Sequence, residues 1–159
     1  MDEYYLRFPS VFKKALKEGI IEMPQELEIE YAAIKAYRGV RFIKFKKEKL
    51  EKQDFLAQID LKVAGDRRYQ QCSDADIDNY GTSVFDDIEE LHAAYFLPRK
   101  NKGIAEGLVK MENGPICRSD EESHILWFLY EGATPQKDFK VIEYYEKMDN
   151  SEEYRTIVL

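Results

Sequence analysis

Two cysteines, two histidines and one tryptophan are all that 159 residues hold of the side chains that most often announce a chemical site. Cys72 and Cys117 lie far apart, and neither has a second cysteine or a histidine at metal-ligand spacing, which argues against a zinc site. Both are expected to be free thiols. No apolar run approaches the roughly 20 residues of a membrane span. The opening Met1-Asp2-Glu3-Tyr4-Tyr5 is acidic and aromatic, without the basic and apolar regions of a secretory signal. The expectation is therefore a soluble, cytoplasmic protein. Repeats, low-complexity tracts and interdomain linkers are also missing, so residues 1–159 are read as one domain.

What is present suits a folded chain. The hydrophobic share is 44%, with eleven tyrosines and nine phenylalanines, while 35% charged residues and a net charge of −7 favour solubility. A chain of this length buries about two-thirds of its unfolded surface and needs no staple.

Periodicity sets the elements. Ser10 to Glu18, with apolar positions at 12, 15 and 16 and Gly19 behind them, predicts a helix. Residues 27–45 alternate as a strand centred on Ala36 to Phe42, followed by a charged connection from Lys44 to Lys52. Asp54 is placed to cap a helix whose Phe55, Leu56, Ile59 and Val63 share a face. The polar run Asp66 to Tyr80 reads as a loop, and Gly81 to Phe85 as a short strand. A helix beginning at Asp86-Asp87 follows, with Ile88, Leu91, His92, Tyr95 and Phe96 on one face. Beyond Pro98 come a strand over 104–111, a hairpin turn at Asn113-Gly114 with its return at 115–118, and a strand over 123–130. A last strand over 139–145 precedes an acidic tail. The fold class is α+β, with a mostly antiparallel sheet and about three helices, helix-rich in the N-terminal half and strand-rich in the C-terminal half. Ser123 to Tyr130 is apolar on both faces, so it is placed in the middle of the sheet.

Three stretches could carry a site. His124 opens the central strand and can titrate or bind a ligand near neutral pH, although a hydrogen-bonded core or rim histidine is the simpler reading. Tyr37-Arg38-Gly39 sets an arginine beside a glycine that would let a phosphate or carboxylate approach the backbone. The simpler reading is an arginine on a solvent face. Tyr80-Gly81-Thr82-Ser83 brings hydroxyls to a strand-to-helix junction, where turn and cap chemistry is the plain alternative. The candidate ligand-binding residues are Tyr37, Arg38, Ser83 and His124, with no catalytic residue and no metal assigned. Ser83 has no G-x-S-x-G around it.

The order of these elements, with Tyr37-Arg38-Gly39 on an early strand and Thr82-Ser83 on a later one, resembles the ADP-ribosyltransferase fold over residues 31–145. That resemblance implies NAD as a cofactor, held by Arg38 and Ser83, with Glu106 or Glu131 as the completing acid. The family's usual glutamate motif is absent.

Charge is segregated along the chain. Lys35 to Lys52 holds eight basic and two acidic residues, and Asp74 to Glu90 holds seven acidic and no basic ones. With net negative charge, nucleic acid is the least expected partner. The leading expectation is a noncatalytic binding or regulatory protein that meets a macromolecular partner through an acidic, tyrosine-rich surface.

Overall fold

Alternation in the sequence becomes an eight-stranded antiparallel sheet in the order β1-β5-β6-β3-β2-β4-β7-β8. The computed structural model describes residues 3–30, 33–41, 49–119 and 123–159. In chain order the elements are α1 (Ser10–Lys17), β1 (Leu27–Glu28), β2 (Ala33–Arg41), α2 (Gln58–Val63), β3 (Thr82–Phe85), α3 (Ile88–Ala94), β4 (Lys102–Lys110), β5 (Ile116–Arg118), β6 (His124–Trp127), β7 (Phe139–Lys147) and β8 (Tyr154–Val158). The α+β class, the antiparallel sheet and the early position of the three helices agree with the sequence reading. The part of the predicted early strand beyond Arg41, and most of the charged connection after it, lie outside the described residues.

Each strand divides its side chains between two faces. One face is mostly apolar. Ala36 and Val40 of β2, Val84 of β3, Ala105 and Val109 of β4, Ile125 and Trp127 of β6, and Val141 of β7 form one buried cluster, joined by Leu50 and Phe55 from the connection after β2. Trp127 and Phe55 are wholly buried, and the indole N–H donates to the Gly114 carbonyl at 3.1 Å.

The second face is covered in two patches. At one end α1 lays Phe12 and Ala15, with Phe8 before it, over Leu126, Phe128 and Tyr130, and Ile59 of α2 joins them. The Phe8 and Phe12 rings stack with centroids 4.3 Å apart. At the other end α3 seats Leu91 on Phe85 and Ile104. The Asp87 carboxylate starts α3 by accepting from the Glu89 and Glu90 amides, at 2.8 and 3.3 Å.

Several expectations are corrected. Asn113-Gly114 is not a β4–β5 hairpin: β4 pairs with β2 and β7, and β5 with β1 and β6. Met111–Asn113 is instead a 3-10 turn, and Gly114 takes φ 148°, a conformation that suits glycine. The strand predicted over 123–130 shortens to His124–Trp127 and stands third from one edge, leaving β3 and β2 at the centre. Asp54 caps no long helix, because residues 52–55 form a 3-10 turn and α2 begins at Gln58, with Val63 two-thirds exposed. Phe96 leaves α3 with φ 52° and is 81% exposed. The acidic tail closes with β8 on the outer edge of β7.

Candidate functional site

Antiparallel register decides which candidate residues meet. Between β3 and β6, Phe85 stands opposite His124 and Ser83 opposite Leu126, so Ser83 and His124 are diagonal neighbours on the second face. The Ser83 hydroxyl and His124 Nε2 are hydrogen-bonded at 2.5 Å. The other ring nitrogen, Nδ1, lies 3.1 Å from the Ser119 hydroxyl, and the Ser119 amide donates to the His124 carbonyl at 3.0 Å. Phe85 flanks the imidazole, with ring centroids 5.1 Å apart. The strip fills the gap between the α1 and α3 patches.

A neutral imidazole between two hydroxyls donates through one nitrogen and accepts through the other. The Ser83–His124 contact has the reach of a nucleophile–base pair. Among the described residues the group on Nδ1 is the Ser119 hydroxyl, which does not carry the negative charge that a carboxylate lends to an imidazolium. The Glu90 carboxylate at this end of the sheet accepts instead from the amide of Ser123, at 3.0 Å, and from its hydroxyl.

Tyr37 belongs to the same face. It stands opposite Phe85 on one side and Glu106 on the other, so His124, Phe85, Tyr37 and Glu106 form a single cross-strand row. Two strand spacings, about 10 Å, separate Tyr37 from His124. The Glu106 carboxylate pairs with Lys35 at 3.2 Å and holds its ammonium above the ordinary pKa, first through that hydrogen bond and then through its charge. Glu131 lies after β6, where its amide donates to the Arg7 carbonyl at 2.8 Å and its own carbonyl accepts from Lys52.

Arg38 points the other way. Its neighbours Ala36 and Val40 belong to the apolar face, and its guanidinium lies over the Phe55 ring at 5.9 Å. Nε donates to the Asp54 carbonyl at 2.9 Å and Nη1 to the Ser83 carbonyl at 2.7 Å. Burial lowers the pKa of this guanidinium, with Tyr95, Tyr69 and Asp54 acting in the opposite sense. The arginine ties the backbone of β3 to the 52–55 turn. Gly39, expected to admit a ligand, instead faces the Tyr95 ring, which would lie 3.4 Å from a Cβ there. Three of the four sequence candidates, Tyr37, Ser83 and His124, thus share a face, and Arg38 reaches the group only through the Ser83 main chain.

A region that residue types did not single out is open. The N-terminal 3-10 turn (Glu3–Arg7), the 29–30 segment after β1, Met111, Glu112 and Tyr130 enclose a groove of about 670 Å³, lined by Tyr4, Leu6, Arg7, Ile29, Met111, Glu112 and Tyr130. A second depression of about 620 Å³ adjoins it, sharing Tyr4 and Ile29 and adding Leu27, Glu28 and Glu30. Leu6 is 55% exposed. The Arg7 guanidinium stacks 3.9 Å from the Tyr130 ring centroid and reaches the Glu112 carbonyl at 3.5 Å, forming one wall. Glu28 is paired with Arg118 at 2.9 Å, whereas Glu30 and Glu112 are exposed and in none of the described ion pairs. The only sequence signal was the run Glu22 to Glu30, four glutamates without a basic residue.

Among the described residues no group of three or more histidines, cysteines or acids is arranged to hold a metal ion, and no helix is long and apolar enough to cross a membrane. No family model, curated protein or solved structure matches the chain.

Proposed function

We propose that this is a noncatalytic binding protein, and that the groove beside β1 takes an extended segment of a partner protein carrying both basic and apolar side chains. One observation carries the reading: an apolar floor of Tyr4, Leu6, Ile29, Met111 and Tyr130 has at its rim the exposed carboxylates of Glu30 and Glu112, which join none of the described ion pairs. Apolar side chains gain by leaving water on such a floor, and rim carboxylates select and steer a cationic partner. The groove borders β1, an edge strand bonded on one side to β5. An extended segment can therefore also meet unpaired backbone groups. The net charge of −7 favours the same partner.

The polar strip supports the noncatalytic part of the reading. His124 bonds the Ser83 and Ser119 hydroxyls, and Arg38 is engaged by two main-chain carbonyls. These are the commitments of residues that hold strands in place.

The test is fluorescence anisotropy with two labelled ten-residue probes, one alternating lysine with leucine and one alternating glutamate with leucine. The lysine probe is expected to bind more tightly, to weaken with added salt, and to lose about fivefold in affinity when Glu30→Lys and Glu112→Lys are combined. Equal binding of the two probes, or no response to the double reversal, would overturn the proposal.

A further inference from the structure

A second charged locus lies at the far end of β2. Arg41 stands directly opposite Lys102 in the β2–β4 register, and like charges so placed repel. Arg99 enters from the turn before β4, whose closing hydrogen bond runs from the Lys102 amide to the Arg99 carbonyl at 3.3 Å. Arg68 borders the group but is already neutralised, gripping Asp66 through Nε at 3.1 Å and Nη2 at 2.6 Å. No described ion pair includes Arg41, Arg99 or Lys102.

The cost of this crowding is visible at Lys102. Partial burial, then Arg41, Arg99, Arg68 and Arg38 in that order, pull its ammonium below the ordinary lysine pKa. Arg41 also acts on Asp66, helping to keep that carboxyl below its usual range. A half-buried ammonium facing Arg41 and Arg99, which join no described ion pair, is unfavourable in an acidic protein. An anion held between the three cations would remove the repulsion.

We infer that Arg41, Arg99 and Lys102 form a binding site for a compact phosphoryl anion, as found in free pyrophosphate or in the diphosphate of a nucleotide. Guanidinium groups offer paired donors to phosphate oxygens, and the ammonium adds a point charge between them. The cations gather at one strand end and one turn, a footprint suited to a small multivalent anion. This site is separate from the β1 groove, and neither proposal depends on the other.

Calorimetric titration of the full chain with inorganic pyrophosphate and, separately, with ADP tests the inference. Pyrophosphate is expected to bind, with about tenfold weaker affinity in Lys102→Gln and in Arg99→Ala. ADP binding with equal affinity marks a site for the phosphates alone, and tighter ADP binding marks a nucleotide site. Lys14→Ala, at an exposed position of α1, serves as the control and leaves affinity unchanged. Lys102→Gln is also expected to melt about 1–3 °C higher without ligand, because the Arg41–Lys102 repulsion is gone. A variant that binds less while melting higher cannot be explained by damaged folding. No heat with either anion, or equal affinity in wild type and both variants, would overturn the inference.

Discussion

The Ser83–His124–Ser119 strip and the groove beside β1 are both polar features on a sheet rich in apolar side chains, yet they stand in opposite states. In the strip, both imidazole nitrogens meet hydroxyls and Phe85 covers one side of the ring. In the groove, Leu6 is more than half exposed, and the exposed Glu30 and Glu112 are in none of the described ion pairs. Among the described residues, the strip's side chains bond one another. The groove is open, and an apolar floor exposed to water is where association releases free energy. If the proposed groove is the binding site, the residue types that suggest chemistry in the sequence lie elsewhere.

Removing the apolar support beneath the strip should have the largest effect. Trp127→Ala empties the centre of the buried face and should cost about 3–5 kcal/mol of stability, read as a lower urea midpoint. Arg38→Ala comes next. It leaves the Ser83 and Asp54 carbonyls without their donor and should cost about 2–3 kcal/mol. Arg38→Lys should recover only a minority of that, since one ammonium does not reproduce a fork aimed at two carbonyls. If Arg38→Ala instead leaves stability intact while abolishing ligand binding, Arg38 belongs to a site and the distinction between the two regions fails.

The strip itself should show a modest but coupled effect. Ser83→Ala and His124→Ala are each expected to lose about 1 kcal/mol, with an interaction energy near 1 kcal/mol in a double-mutant cycle. Additive losses would mean that the two side chains act separately. Leu6→Asp should change stability by less than about 0.5 kcal/mol while weakening the lysine–leucine probe, because its side chain is already in water. The smallest effect concerns Asp66, which Arg68 holds below the ordinary carboxylate pKa, first by side-chain and then by main-chain hydrogen bonding. A depressed carboxyl favours the folded state fully above its unfolded value of about 3.9, and this benefit fades as pH falls through the folded pKa. Arg68→Ala should return the Asp66 titration, followed by carboxyl NMR, toward that ordinary value.

Much of the architecture was legible in the sequence because local signals and tertiary structure agree. Gly81 to Phe85 is bounded by turn residues and became β3, and the acids at 86, 87, 89 and 90 marked the start of α3. Other signals were overridden. Asn113-Gly114 has hairpin chemistry, but β5 finds partners in β1 and β6, so the turn serves a crossover. β8 was hidden in an acidic tail, since an edge strand needs only one bonded side and shows weak alternation.

The candidate site was only partly legible. Arg38 and Ser83 do approach each other, but the Tyr37–Phe85 pairing places their side chains on opposite faces, and a one-residue register difference is invisible to composition. Apart from the acidic run Glu22 to Glu30, the groove left no trace in the sequence. Its walls come from residues 4–7, 27–30, 111–112 and 130, segments brought together by the β1–β5–β6 edge and not by any local motif.

Amide-detected NMR of the labelled protein, titrated with the lysine–leucine probe, asks the question most directly. The account predicts shifts concentrated at Tyr4, Leu6, Ile29, Glu30, Met111 and Glu112, with Ser83, Ser119 and His124 unmoved. Shifts centred on Ser83 and His124, with the groove silent, would contradict it.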